Sequence, residues 1–155
     1  MDNMKLTANV HLVARDTAGN ITYEHRAHNL AVTAGLESIA QRLAGVDVPA
    51  NKKGTITYLA LGTGTTAAAA GDTTLVTEVF RKLVSARTYT GAVAKYRTFI
   101  NTTEANVTIK ELGLFGDDAT GTADTGTLYA RLIVDKAKTS AETLTVDWEV
   151  ELAAA

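Results

Sequence analysis

The chain has 155 residues, with 15 Lys and Arg against 17 Asp and Glu and no cysteine. Its net charge of −2 supplies no global basic field to attract nucleic acid or an anionic membrane. The missing thiols exclude disulfides, thiolate metal sites and a cysteine nucleophile. No apolar run approaches the roughly 18 residues of a spanning helix, and MDNMKLTANVHLV is not a signal peptide. We therefore expect a soluble chain that keeps its first residues and forms one domain over 1–155, burying roughly 68–70% of its unfolded surface.

The first element is a strand over Lys5–Arg15. Leu6, Ala8, Val10, Leu12 and Ala14 share one parity, and Thr7, Asn9 and His11 take the other. Asp16–Asn20 supplies turn residues and Ile21–Ala27 alternates again, so the pair reads as a β-hairpin. The period then changes. Leu36, Ile39, Ala40 and Leu43 recur at helical spacing, which predicts an amphipathic helix over 34–44. Thr33 is placed as its N-cap and Gly45 as its C′ residue. Its apolar face is expected to close one end of a sheet. Val46–Gly54 is a loop.

Thr55–Gly62 is apolar on both parities, as a central strand would be. A Gly/Thr/Ala-rich loop follows, within ALGTGTTAAAAGDTTLVTEVFRK (60–82). Leu75, Val79 and Phe80 suit a short helical turn or an irregular edge segment. Strands are expected at Lys82–Thr90 and Val93–Asn101, joined at Gly91, and at Val107–Phe115, Leu128–Asp135 and Thr143–Leu152. The last alternates most clearly, with Leu144, Val146, Trp148, Val150 and Leu152 on one face. Gly116–Thr127 is a polar loop, and 153–155 reads as a flexible tail. Threonine is abundant, proline occurs once, and strands do not alternate with helices. The expected fold is mainly β: an antiparallel β-sandwich, jelly-roll-like, with one amphipathic helix.

The glycine-rich loop invites a phosphate-binding reading, and its residues reject it. No Lys follows the second glycine cluster, and Asp72 would repel an anion. A dinucleotide fingerprint fails because Ala67 stands where its third glycine would fall. His25 and His28 lack a third ligand at a usual spacing, and His11 sits on the solvent parity of its strand. Asp117, Asp118 and Asp124 do not follow calcium-loop spacing and read as solvated turn residues. No serine lies in a nucleophile elbow. Glu104 and Glu111 form a conceivable carboxylate pair, with nothing to indicate that either is buried or convergent. Trp148 reads as core. Lys82, Arg87, Lys95, Arg97 and Lys110 gather on the middle strands, either as a solvated face or as a surface for an acidic protein partner. No RNP-type pattern points to nucleic acid. We expect no catalytic residue, cofactor or metal.

Several of these segments, in this order, carry a resemblance. They are the helix NLAVTAGLESIAQRLAG (29–45), the GTG…GDT…L..E..R run within 60–82, the E-x-G-L-F run Glu111–Phe115, and TLYARLIVDKAKTSAETLTVDWEVEL (127–152). Together they resemble small structural proteins of tailed-bacteriophage virions, over most of 29–152. The resemblance implies a non-enzymatic β-sandwich or jelly-roll component, commonly a homotrimer. Some members look like head decoration (cement) proteins and others are tail-fibre or tail-associated. The absence of fibrous repeats or heptads favours decoration.

The major capsid protein, or tail proteins, would then be the partner, with no direct contact to nucleic acid or membrane. The place would be the virion, on the head exterior, after assembly in the host cytoplasm. Such a protein would stabilise the shell by adding buried area across capsid boundaries. Candidate contacts are Met1, Asp2, Asn3, Met4 and Lys5 as an N-terminal arm, Thr63, Thr65 and Thr66 in the pliable loop, and Lys82, Arg87, Lys95 and Arg97 on the basic strands. A glycan-binding module is the second class and an enzyme the third. Loops almost free of aromatics speak against the former, and the lack of convergent titratable groups against the latter.

Overall fold

A computed structural model describes residues 4–45, 48–50 and 53–154. Its elements in chain order are β1 (Met4–Asp16), β2 (Ile21–His28), β3 (Leu30–Ala31), α1 (Thr33–Ala44), β4 (Ile56–Gly62), β5 (Glu78–Leu83), β6 (Ala86–Thr90), β7 (Val93–Ile100), β8 (Thr108–Gly116), β9 (Thr127–Ala137) and β10 (Glu142–Ala154). The strands form two antiparallel five-stranded sheets, ordered β2-β1-β10-β7-β6 and β3-β9-β8-β4-β5. This is the mainly β, sandwich-class strand complement that the alternation predicts. Contacts group the chain into two compact units: Met1–Asn29, Val84–Val107 and Ala137–Ala155 in one, Leu30–Leu83 and Thr108–Lys136 in the other.

The first unit is organised by β1 and β10, which pair without a break from Met4↔Ala154 to Asp16↔Glu142. Because strand side chains alternate, one register decides both faces. Val10 stands opposite Trp148, Leu12 opposite Val146 and Ala14 opposite Leu144, and all six are buried. The other face sets Asn9 opposite Glu149 and His11 opposite Asp147. Trp148 is thus core, as its parity indicated. The β1–β2 turn is closed by Asp16, whose Oδ1 accepts the N–H groups of Ala18 (2.9 Å) and Asn20 (2.8 Å).

The expected strand Lys82–Thr90 divides. Lys82 belongs to β5, an edge of the second sheet, and β6 is an edge of the first. Ser85 marks the break: its N–H donates to the Arg97 carbonyl at 2.6 Å and its Oγ accepts the Phe99 N–H at 3.0 Å. A side-chain hydroxyl therefore takes a ladder position. The segment around Val79 and Phe80 is not a helical turn; it is the edge strand β5, paired to β4 with a shift of register at Leu61/Gly62 that leaves Val79 out of the ladder.

The second unit has β4 between β5 and β8, and Leu59, Ala60 and Leu61 are buried, as a central strand requires. Val32, Ala60, Leu75, Phe115 and Leu128 pack as one apolar cluster. Helix α1 corrects the sequence in two respects. Its N-cap position is Val32, with extended φ −94° and ψ 153° and no side-chain cap. Thr33 is the first helical residue, and its N–H is met by the Ala70 carbonyl at 2.8 Å. Gly45 does end the helix, at φ 65°.

The second correction concerns the buried face. The buried residues of α1 are Gly35 and Ser38, whereas Leu36 and Leu43 are exposed. The cause is close approach. A Cβ at position 35 would lie 2.5 Å from Tyr129 Cα, so only glycine lets the helix sit on β9, and that contact overrides the leucine stripe. Gly35→Ala is therefore expected to cost about 1–3 kcal/mol by overpacking, read as a lower urea midpoint. Gly71→Ala, where nothing lies within 4 Å of the added carbon, should leave the unfolding free energy within about 0.5 kcal/mol of the parent's.

Candidate functional site

The glycine-rich loop after β4 presents backbone N–H groups to an anion, and the anion is the protein's own. Glu111 on β8 is fully buried. Its Oε1 accepts the N–H groups of Gly64 (3.1 Å) and Thr77 (2.8 Å), and its Oε2 accepts that of Val76 (3.0 Å). Oε2 also receives Arg131 Nε (3.0 Å) and Nη2 (2.8 Å). Arg131 on β9 is itself buried and reaches onward to the loop. Nη1 meets Asp72 Oδ2 at 2.8 Å, and Nη2 meets the Thr66 carbonyl at 2.8 Å. The carboxylate occupies the space that side chains at positions 62 and 64 would need: a Cβ there would lie 2.4 and 2.5 Å from Glu111 Oε1. The loop is thus wrapped around a buried ion pair and held at both ends.

Asp72 shows the same logic in its titration. Burial pushes its pKa up, but the Ala69 N–H and the Arg131 guanidinium together outweigh burial and hold it below the ordinary 3.8.

Two further polar clusters fix the neighbouring loops. Glu78 and Arg81 on β5 form an ion pair whose side chains are only 2% exposed, with Nη2 and Oε2 2.8 Å apart. Arg81 Nη1 donates to the carbonyls of Thr120 and Thr125, each at 3.0 Å, and its guanidinium lies 4.5 Å from the Phe115 ring centre. Glu78 Oε2 accepts the Asp124 N–H at 3.1 Å. In the third cluster, Asp117 accepts Ser38 Oγ (2.9 Å), Tyr129 Oη (3.0 Å) and the Gly54 N–H (2.8 Å). Burial raises the Asp117 pKa, but these bonds and one from Thr127 outweigh it and leave the carboxyl below its ordinary value. Asp117 is therefore a buried anchor rather than a solvated turn residue. Glu111, likewise, is the most enclosed acid of the second sheet rather than an uncommitted one.

The polar face of the first sheet carries an open groove of about 640 Å³, lined among others by Asn9, His11, Arg26, His28, Lys95 and Glu149. Its charges meet across strands. Lys95 Nζ is 3.0 Å from Glu149, and Arg97 Nε and Nη2 are 2.6 and 2.8 Å from Asp147. His11 Nε2 is 2.7 Å from Glu24. Exposed pairs of this kind contribute about 0–1 kcal/mol each.

The sequence-derived contact residues do not converge. Met1, Asp2 and Asn3 lie outside the described residues. Met4 and Lys5 belong to β1 and stand opposite Ala154 and Ala153 of the same chain. Thr65 and Thr66 are exposed, and Thr63 is half-buried with its N–H bonded to the Thr77 carbonyl at 3.0 Å. The basic residues do not share one face. Lys82 and Lys110 are in the second sheet, and Lys110 is 2.8 Å from Asp135. In the first sheet Arg87 stands opposite Tyr96 and Thr88 opposite Lys95, which puts Arg87 on the face away from Lys95 and Arg97. Among the described residues, no cluster of His, Cys, Asp and Glu is arranged to hold a metal ion.

Arg131, Ser38 and Tyr129 escaped the sequence reading. The one available signal was an acid and an arginine placed inside otherwise apolar strand runs, Glu111 in VTIKELGLF and Arg131 in LYARLIVD. No protein-family model, curated protein or solved structure matches the chain.

Glu111→Gln places an amide against amide donors and leaves Arg131 only Asp72 as a charged partner. A loss of about 3–5 kcal/mol is expected, measured by urea unfolding. Asp72 has a depressed folded-state pKa, so its contribution is present above the unfolded value of about 3.8 and fades as pH falls through and below it. Unfolding midpoints followed from pH 7 down to about pH 3 should therefore drop less steeply in Asp72→Asn than in the parent.

Proposed function

We propose that this chain is a non-enzymatic structural protein of a bacteriophage virion, a decoration protein that binds the head exterior and stabilises the shell. The observation that carries this reading is the use made of the motif residues. Gly62, Gly64, Asp72, Leu75, Glu78, Arg81, Glu111 and Phe115 all fall in the segments that resemble virion proteins. Each is consumed in holding the 62–77 and 117–126 loops or in packing beneath them. Side chains so engaged bring no reactive group to a substrate. They make a rigid scaffold, which suits a protein whose task is to add contact area to an assembly.

The partner on this reading is the major capsid protein, met by the exposed loop residues Thr65 and Thr66 and by strand edges. The resemblance implies trimeric copies. Placement on the tail is the second form of the same reading. The groove on the first sheet keeps a glycan-binding module in view, although its charged groups are largely satisfied by one another.

The test is where the protein sits. Gold-labelled antibody on intact virions is expected to decorate the whole head surface in many copies. Label confined to the tail would move the protein there, and a virion without label would overturn the reading.

A further inference from the structure

An open sheet edge is a row of unpaired amide and carbonyl groups that another extended chain can continue. Three of the edge strands described here carry a feature that discourages this. β2 has Glu24, His25, Arg26 and His28 among its eight residues, and its pairing shifts at Ala14/Arg15. β3 is two residues long. β5 carries Glu78, Arg81 and Lys82, of which Glu78 and Arg81 clasp the 117–126 loop. β6 is five residues long and carries a single charged residue, Arg87. All five of its residues, ARTYT, are exposed, and it pairs with β7 without a shift. It also bears Tyr89, which at 81% exposure is the most exposed large hydrophobic side chain described.

We propose that β6 is the surface through which two copies of this chain associate, antiparallel about a twofold axis at Thr88, joining their first sheets into one continuous sheet. The strand is self-complementary in that register. Thr88 falls opposite Thr88 of the second copy, Ala86 opposite Thr90, and Arg87 opposite Tyr89, the last two pairs occurring twice by symmetry. Arg87 already stands opposite Tyr96 on β7. It would then lie in a row between two tyrosines on one face, where a guanidinium stacks on an aromatic ring. Thr–Thr and cation–aromatic neighbours are favourable cross-strand combinations, and no like charges come opposite each other.

This complementarity is a property of ARTYT read against itself. That commits the edge to a second copy rather than to a strand of unrelated sequence. A five-residue strand pairing is small for an interface, so the association is reversible and depends on concentration. The inference stands on the edge alone and does not rest on the virion reading.

Sedimentation velocity of the full chain, from about 10 μM to about 1 mM, is expected to show a monomer–dimer equilibrium. Tyr89→Lys sets a lysine against Arg87 of the second copy and should weaken association at least about tenfold. Adding Arg87→Glu creates opposite charges across the pair and should restore it. Thr88→Asp, which brings two carboxylates together on the axis, should abolish it independently. The substituted side chains are exposed, so circular dichroism and the thermal midpoint serve as controls for folding. A parent that stays monomeric throughout, association or a trimer indifferent to Tyr89→Lys, or a double variant that does not recover would each overturn the proposal.

Discussion

The second unit depends on one buried carboxylate. Glu111 accepts three backbone N–H groups and two guanidinium N–H groups. That set offsets the desolvation that an enclosed charge would otherwise suffer. The same contacts determine the neighbouring chain. Gly62 and Gly64 must be glycine because the carboxylate stands where their side chains would be. Residues 64–77 curve around it, with the amides of Gly64, Val76 and Thr77 all donating to its oxygens. A loop that looks adaptable in composition is held by an ion pair at its centre.

The two units use charge differently. In the second, the Glu111–Arg131 and Glu78–Arg81 pairs are almost fully enclosed, so losing one partner leaves the other a buried charge with less compensation. In the first, Lys95–Glu149 and Arg97–Asp147 are exposed cross-strand neighbours, and their contribution is small and salt-screened. What holds the first unit is the apolar face of β1 and β10, where Leu12, Val146 and Trp148 are almost wholly removed from water. The polar face is thereby left available for contact without being required for folding.

The functional proposal and the edge inference both draw on this division. Residues that would look catalytic in isolation are occupied by the architecture. Among the described residues, the surface offers exposed threonines on a fixed loop, a groove of paired charges and an exposed strand edge.

Strand positions were legible because alternation is local. Thr143–Leu152 carries the whole argument for β10, and Trp148 could be assigned to the core by parity alone. The helix was legible as a helix, through its spacing and Gly45. Its orientation was not, because Leu36 and Leu43 outweigh Gly35 and Ser38 on any hydrophobic pattern. The inward face was decided by how closely β9 approaches and by the hydrogen bonds of Ser38 to Asp117 and Tyr129. The joins between strands were less legible still, since a serine hydroxyl at position 85 breaks a run that reads as continuous.

By itself, then, the sequence determined a mainly β chain with one helix, a core parity for its strands, and a glycine loop unsuited to phosphate. Only the tertiary structure decided which acid fills that loop. Glu111 and Gly64 are brought to hydrogen-bonding distance by β4 pairing with β8. Periodicity reports which side of an element is apolar. Which groups meet across sheets and loops depends on pairing between residues distant in the chain, and no local pattern encodes that.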